Sequence, residues 1–284
     1  MRPDRPPPWG ALPDGIPRCA VNSSDLTASL YFSAAVRVAA DVSLTRLLPL
    51  DALHSPLAPH DNYSQRVLLS LQALGVIEPE LSLSRAGDWQ MPRDWMPYGF
   101  DSVAWRIRWA PRDCRRQHDE VKELLKDIAP SEDTMRALLM LWEDLALAEA
   151  VQYARWALAK SGYNPEWAVQ ATEELRQALK HFSVTQVMYF ISLAVHSVAI
   201  TCQRGSMEAI RLGQAFANSI AKSSQHAAVE HWGIRGISRP VELPLSTLAM
   251  IFAHEVTRLD NDYLTLRPSL DALRAAITRC RTIH

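Results

Sequence analysis

The segment Val184–Cys202 constrains the fold of this chain more than any other, because it contains no Asp, Glu, Lys or Arg. An uncharged run of 19 residues is nearly long enough to cross a bilayer, and it is also typical of the central helix of a bundle. Gln186, Ser192 and His196 lie within it at helical spacing, including near its centre, where membrane insertion tolerates polar residues least. We therefore predict a buried bundle helix without membrane contact.

Patterns on both sides of this segment predict further helices. Ser131 is expected to cap a long helix, and Ser246 and Ser269 are expected to cap two helices nearer the end of the chain. Two more helices are predicted over residues 166–180 and 206–227. Short connectors usually join antiparallel neighbours. The second half of the chain is therefore expected to be an antiparallel helical bundle in a mainly α protein.

The first half combines helices with a small β component. Apolar spacing predicts a helix over residues 26–40, capped by Asp25. A second helix is predicted over residues 63–74, where Gly75 ends it. Apolar and polar residues alternate over residues 103–109, which is typical of a strand.

The order of elements over residues 26–110 resembles a winged helix-turn-helix. The phrase LLSLQALGVIEP, residues 68–79, carries the resemblance, because it looks like the end of a recognition helix that turns into the wing. The resemblance implies that the polar start of this helix faces the bases of duplex DNA and that loop arginines contact phosphates. The implied base-facing residues are Asn62, Tyr63, Ser64, Gln65 and Arg66, and the implied phosphate contacts are Arg85 and Arg93.

The loop that would form the wing also favours a different interpretation. The loop over residues 78–102 is longer than a typical wing. It contains five acidic side chains, which oppose contact with phosphates. These side chains are Glu78, Glu80, Asp88, Asp94 and Asp101. A winged-helix-like unit can also act only as a scaffold for protein docking, since a fold does not determine a function. Both hypotheses stay open.

We expect four parts along the chain. The stretch RRQHDEVKELLKD before Pro130 is highly charged, and we interpret it as part of a linker between two domains. The expected parts are a flexible, proline-rich arm over residues 1–24, a winged-helix-like domain over residues 25–112, a linker over residues 113–130, and a helical bundle over residues 131–284.

Charge and cysteine content restrict the possible partners and the compartment. The chain has 30 basic and 31 acidic residues, so it has no overall positive field, and DNA binding would need a local patch. The four cysteines are far apart and form no CxxC pair. We therefore expect reduced cysteines in a cytoplasmic protein, without disulfides or a zinc ribbon.

The sequence offers few groups for chemistry. Cys114 is the best nucleophile, since three arginines within two residues could lower its pKa, but a linker that happens to contain a cysteine is the commoner explanation. Residues 226–231, HAAVEH, and the pair His254 and Glu255 bring histidines near carboxylates without matching HExxH or HxxEH. There is no phosphate-loop or dinucleotide motif. We predict no catalytic residue, no metal and no cofactor.

The leading hypothesis is a bacterial DNA-associated regulatory or accessory protein whose helical domain serves in assembly or sensing, with double-stranded DNA and a protein or second copy as partners. The alternative is a non-catalytic, protein-binding subunit of a larger complex. A third possibility is an unrecognised metal-dependent hydrolase. The first two differ in one surface property, namely a basic stripe that would join Arg66, Arg85, Arg93, Arg106 and Arg108.

Overall fold

The structure is a computed structural model that describes residues 26–80, 99–110, 112–203 and 209–281. These residues are mainly helical, as predicted, and they include one small β-sheet. The helices are α1 (Leu26–Ala39), α2 (Asp61–Ala73), α3 (Cys114–Lys126), α4 (Glu132–Lys160), α5 (Trp167–Gln170), α6 (Thr172–Leu179), α7 (Val184–Gln203), α8 (Ala209–Val229), α9 (Thr247–Met250), α10 (Asp262–Thr265) and α11 (Leu270–Arg281). The strands are β1 (Arg46–Leu47), β2 (Ile77–Pro79) and β3 (Trp105–Ile107).

The sheet is antiparallel, with β3 between β1 and β2. Trp105 lies opposite Leu47 on one side and Pro79 on the other, and its side chain is fully buried. Arg106, the next residue, is exposed, so β3 shows the alternation that the sequence predicts for a strand with one buried face. β1 has only two residues, which is too short to give an alternating pattern.

A first hydrophobic core draws on both ends of the chain. It contains buried residues between Leu30 and Ala148 and, after a long interval, between Leu248 and Ala276. The early part supplies α1, α2, α3, the sheet and the first half of α4, and the late part supplies α9 and the residues after it. Trp142 links the early and late parts of this core, because its indole N–H donates to the backbone carbonyl of Tyr263 at 3.1 Å.

A second core contains buried residues between Ala146 and Ala227, from the second half of α4 and from α5 to α8. The 29 residues of α4 make a helix of about 44 Å, which is long enough to serve both cores. The two cores therefore meet along α4, and the late chain segment that completes the first core lies beyond the second core in sequence.

The expected linker over residues 113–130 contains a helix. The charged residues of α3 face solvent, while Cys114, Val121 and Leu125 are buried in the first core. Strong amphipathicity explains the difference, since three well-spaced apolar residues bind this helix to the core despite the charged residues around them. The first core contains residues from both sides of the segment 113–130.

Local signals place several helix ends as predicted. Ser131 caps α4, where its hydroxyl accepts the backbone N–H of Thr134 at 3.1 Å, and Ser246 caps α9 in the same way. Gly75 follows α2 with a φ of 70°, a left-handed conformation that favours glycine. Asp25 lies outside the described residues. The helix expected after Ser246 is α-helical only over Thr247–Met250, and the chain then continues as a π-helical segment over Ile251–Val256.

A buried ion pair connects the middle of α4 with two segments that follow α8. Glu149 of α4 is fully buried, and its carboxylate contacts the guanidinium of Arg239 from the connector between α8 and α9. The Tyr263 hydroxyl donates to the same carboxylate at 3.4 Å. Burial raises the pKa of Glu149, although Arg239 and Tyr263 act in the opposite direction. Such a pair costs desolvation and fixes one arrangement of the three segments.

Candidate functional site

The residues expected to face DNA lie on the first turns of α2. The side chains of Asn62 and Arg66 are exposed, and that of Gln65 is partly exposed. Tyr63 and Ser64 are buried, which differs from the orientation that the winged-helix resemblance implies. Arg85 and Arg93 lie outside the described residues.

Tyr63 and Ser64 have packing roles. The Tyr63 hydroxyl is 3.3 Å from that of Tyr31 in α1, and the two rings meet edge to face. The Ser64 hydroxyl accepts the backbone N–H of Ala58 at 3.2 Å. These two residues begin the apolar stripe that continues through Val67, at a spacing that the sequence shows. From this spacing alone, the sequence could have assigned Tyr63 and Ser64 to the buried side of α2.

Arg66 and Gln65 are engaged with other parts of the chain. The Arg66 guanidinium forms an ion pair with Asp144 of α4 at 2.9 Å and lies 4.0 Å from the centre of the Tyr63 ring. The Gln65 amide donates to Asp101 at 3.1 Å. Neither acidic partner is near α2 in sequence, so no local pattern could have revealed these contacts.

The outer face of the sheet carries arginines that are matched by carboxylates. Arg46 contacts Glu80 at 2.9 Å, and Arg106 and Arg108 each contact Glu78 at 3.6 Å. Opposite charges at this distance largely cancel the field that a nearby phosphate would experience. Within the described residues, each of the stripe arginines Arg66, Arg106 and Arg108 therefore has an acidic partner in the same chain.

Cys114 is buried, contrary to the expectation for a reactive thiol. Its Sγ–H donates to the carbonyl of Ala110 at 3.5 Å. Burial raises the pKa of the thiol, and the carboxylates of Asp113 and Asp41 raise it further. The neighbouring arginines do not reverse this, and Arg116 is itself paired with Asp113 at 3.3 Å. Cys114 is a core residue.

The histidines pair with single carboxylates. His226 contacts Glu230 at 2.8 Å, and His254 contacts Asp260, not the adjacent Glu255, at 2.7 Å. Among the described residues, no three His, Cys, Asp or Glu side chains are grouped as a metal site requires.

The helix α7 has one buried side and one exposed side. Val187, Ile191, Ala194 and Val198 are buried in the second core. On the opposite side, Leu193 is 39% exposed, Ile200 is 37% exposed and His196 is exposed, and Tyr189 continues the stripe with a side chain that also packs against the second core. Of the described helices, α7 is the one that is long and apolar enough to span a membrane. We call the stripe of Tyr189, Leu193, His196 and Ile200 the α7 face.

No family model, no curated protein and no solved structure matches this chain. The arrangement of its own side chains is therefore the basis for the proposals that follow.

Proposed function

We propose that this protein is a cytoplasmic, non-catalytic binding subunit that assembles as a dimer through the α7 face. One observation carries the proposal: α7 has no Asp, Glu, Lys or Arg in its 20 residues, although Leu193, His196 and Ile200 on its outer stripe are exposed. A helix at a protein surface usually carries charged residues on its solvent side. A helix that is uncharged on both sides is instead typical of one that packs on both sides.

The spacing of the α7 face suits contact with another helix. Its residues follow one another at intervals of four, three and four positions, which is the spacing of the apolar seam between paired helices. Side chains at this spacing form a straight stripe about 16 Å long, given the rise of about 1.5 Å per residue. A second helix laid along the stripe would contact all four side chains.

The inner side of α7 holds this stripe in place. Four buried residues, Val187, Ile191, Ala194 and Val198, fix α7 against α4 and α8. The outer side chains are thus presented on a rigid helix, and binding requires little ordering of the backbone. This supports a preformed docking surface.

A second copy of the chain is the occupant that the charges favour. Two α7 helices related by a twofold axis bring no like charges together, since neither contains any. A partner with charged residues along its docking helix would lose their hydration without gaining ion pairs. The absence of charge therefore favours self-association over binding of a charged partner.

Sedimentation equilibrium of the full chain tests the proposal. The wild type should change from monomer to dimer as its concentration rises, and Leu193→Glu should remain monomeric, because two glutamates would face each other across the axis. Met140→Glu is the matched control, since Met140 is 69% exposed on α4, outside the α7 face. This control should dimerise like the wild type.

Either of two kinds of result would overturn the proposal. One is a wild type that is monomeric at every concentration, or a Leu193→Glu variant that dimerises normally. The other is cosedimentation of the wild type, but not of Leu193→Glu, with vesicles of a neutral phospholipid, which would make a bilayer the occupant of the α7 face.

Duplex DNA is a second candidate partner, and the position of the β-hairpin favours it. β2 and β3 pair antiparallel directly after α2, where the winged-helix resemblance puts the wing. Asn62, Gln65 and Arg66 remain accessible on α2, and Arg66 would have to leave Asp144 to reach DNA. Affinity should therefore be modest and strongly dependent on salt.

A titration of labelled genomic fragments at low salt tests this second candidate. Arg66→Ala and Gln65→Ala should each weaken binding by about 1 to 3 kcal/mol, and Arg85→Ala and Arg93→Ala should reduce its salt dependence. Asp144→Asn should strengthen binding, because it releases Arg66. Arg112→Ala, at a residue that is largely exposed and outside these elements, is the control. Absence of wild-type binding, or equal binding by all variants, would contradict a DNA interface.

A further inference from the structure

A crevice lies where the two cores meet, between the start of α2 and the helices α5 and α6. The cavity there is about 290 Å³, and it adjoins a second cavity of about 440 Å³ that is lined by α4, by the end of α6 and by Arg267 and Pro268. Asp144, Leu147 and Arg176 line both cavities, so the two adjoin one another at these side chains. We call this feature the α2–α6 crevice. It is separate from the residues that form the α7 face.

The floor of the crevice is apolar. Leu147, Ala148 and Val151 of α4 form it, and Val169 of α5 borders it with a partly exposed side chain. Ala148 and Val151 are buried, whereas solvent reaches Leu147 and Val169, and a hydrocarbon group placed on these two side chains would leave water. A concave apolar surface with a few polar groups around it is typical of a small-molecule site, and such sites often lie between two packing units.

The walls of the crevice carry more positive than negative side chains. The cations are Arg66, Arg176, Lys180 and Arg267, and the carboxylates are Glu143 and Asp144. Asp144 is paired with Arg66, and Glu173 beside the crevice is paired with Arg176, so an excess of one positive charge remains. A cleft with low-dielectric walls concentrates the field of such an excess. An anionic group is therefore the charged group that the crevice would attract.

Arg176 is the central cation, because its side chain lines both cavities. Its Nε donates to Glu173 at 3.3 Å, which holds the base of the guanidinium while its two terminal nitrogens extend beyond that contact. Thr172 lies one helical turn earlier on α6 and lines the same cavity as Arg66. A planar guanidinium fixed in this way suits a carboxylate or a phosphate, which accept two parallel hydrogen bonds from it.

The other cations are also held in position by the fold. Arg66 is fixed by Asp144 and by the Tyr63 ring, and Arg267 donates to the backbone carbonyl of Lys180 at 3.2 Å. Each of these contacts uses only part of the five N–H donors of a guanidinium. N–H donors of these arginines therefore remain available beside the apolar floor.

We infer that the α2–α6 crevice binds a small molecule in which a carboxylate or phosphate is attached to a short apolar body. The anionic group meets Arg176, and the apolar body lies on Leu147 and Val169. The floor offers no hydrogen-bond donor from its side chains, so the anionic group has to be held by the arginines of the walls.

Isothermal titration calorimetry of the full chain tests this inference with two probes, octanoate and phenyl phosphate. At least one of them should bind saturably, and the stronger of the two identifies the preferred anion. Acetate and inorganic phosphate lack the apolar body, and octanol lacks the charge. All three should bind at least about tenfold more weakly, because each loses one of the two kinds of contact.

Variants locate the binding. Arg176→Gln should weaken the better probe at least about tenfold, and Arg176→Lys should restore part of the affinity, since a charge remains without the planar fork. Val169→Asp should also weaken it, by opposing an anion and removing apolar area. Arg136→Gln is the matched control, because Arg136 is an exposed arginine on α4 outside the crevice, and it should bind like the wild type.

The inference is overturned if neither probe binds, or if octanol binds as well as octanoate, which would indicate an apolar gap without anion selectivity. It is also overturned if Arg176→Gln, shown by its unfolding curve to be folded, binds the probe with wild-type affinity. None of these results depends on whether the chain dimerises through α7, so the two proposals fail or succeed separately.

Discussion

His60 combines two roles in one side chain. Its Nδ1 accepts the backbone N–H of Tyr63 at 3.2 Å and so caps α2, which requires that this nitrogen carries no proton. Burial, and then the positive charge of Arg155, lower the pKa of His60 from 6.5 to about 4. The folded protein therefore keeps this histidine neutral in mildly acidic solution, where the unfolded chain protonates it.

The first prediction concerns the effect of pH on stability. Because the folded pKa of His60 is below its unfolded value, its contribution to the free energy of unfolding is fully present above pH 6.5 and is lost as the pH falls toward 4. The loss is at most about 3 kcal/mol. His60→Asn keeps a good cap without a titrating group, so urea unfolding of this variant should show a shallower decline over that range.

A second variant, His60→Ala, measures the cap alone when it is compared with His60→Asn. His60→Ala removes both the cap and the titrating group, whereas His60→Asn removes only the titrating group. The free energy of unfolding of His60→Ala should therefore be lower by about 1 kcal/mol at every pH. If His60→Asn and the wild type lose stability in parallel between pH 6.5 and 4, the proposed role of the lowered pKa is wrong.

At the scale of residues, the sequence predicts groups whose partners are local. Ser131 caps α4 through a residue three positions away, and Gly75 takes the left-handed conformation at the end of α2, so both are visible in a short stretch. The partner of Arg66 is 78 residues distant. Charge pairing of this kind depends on the packing of α2 against α4, which no pattern within α2 contains.

At the scale of elements, the two sides of α7 have different roles. The sequence predicts that the segment is a helix and that it is buried, and both follow from its lack of charge. It cannot distinguish its two apolar sides, since Ile191 faces the core and Leu193, two residues later, is 39% exposed. Hydrophobicity alone does not show which side of an uncharged helix has a partner within the chain.

The second prediction compares these two positions. Ile191→Asp places a charge in the second core and should lower the free energy of unfolding by about 3 kcal/mol or more. Leu193→Asp should cost the monomer less, about 1 to 2 kcal/mol, because Leu193 is 39% exposed and only part of its burial is lost. Urea unfolding at low protein concentration, followed by far-UV circular dichroism, measures both. Equal losses would show that the outer stripe is buried within the monomer.

The helix α3 is rich in charge, and this charge content does not show that one of its sides is buried. Its charged residues suggest a solvated linker, yet Cys114, Val121 and Leu125 bury one side of it in the first core. A narrow apolar stripe is enough when the surrounding elements supply the rest of the contact area. The number of charges in a segment therefore says less about its packing than their distribution around the helix axis.

At the scale of the whole molecule, the α2–α6 crevice exists only because two cores meet along α4. Its walls come from α2, which belongs to the first core, and from α5 and α6, which belong to the second. The sequence gives the polar start of α2 as a site of interest, and Arg66 does line the crevice. Arg176 and Val151 carried no motif, so their part in the crevice could be found only from the fold.

The third prediction concerns a fragment that begins at Arg115. It lacks α1, α2 and the sheet, so their partners Trp142, Phe252 and Tyr263 would be exposed to water. We expect this fragment to aggregate, or to bind a hydrophobic dye such as ANS and unfold without a cooperative transition. The full chain should unfold cooperatively and bind little dye. A soluble fragment that unfolds cooperatively would show that residues 115–284 hold a complete core of their own.

The first core combines an early and a late segment of the chain, so it cannot be completed until both have been synthesised. Residues between Leu30 and Ala148 leave the ribosome well before the segment from Leu248 to Ala276 that covers them. At about 5 to 20 residues per second, the 100 positions between Ala148 and Leu248 take about 5 to 20 seconds to translate. The nascent chain therefore displays apolar surface throughout this interval, when chaperones can bind it, and the first core closes only after the segment from Leu248 to Ala276 has been translated.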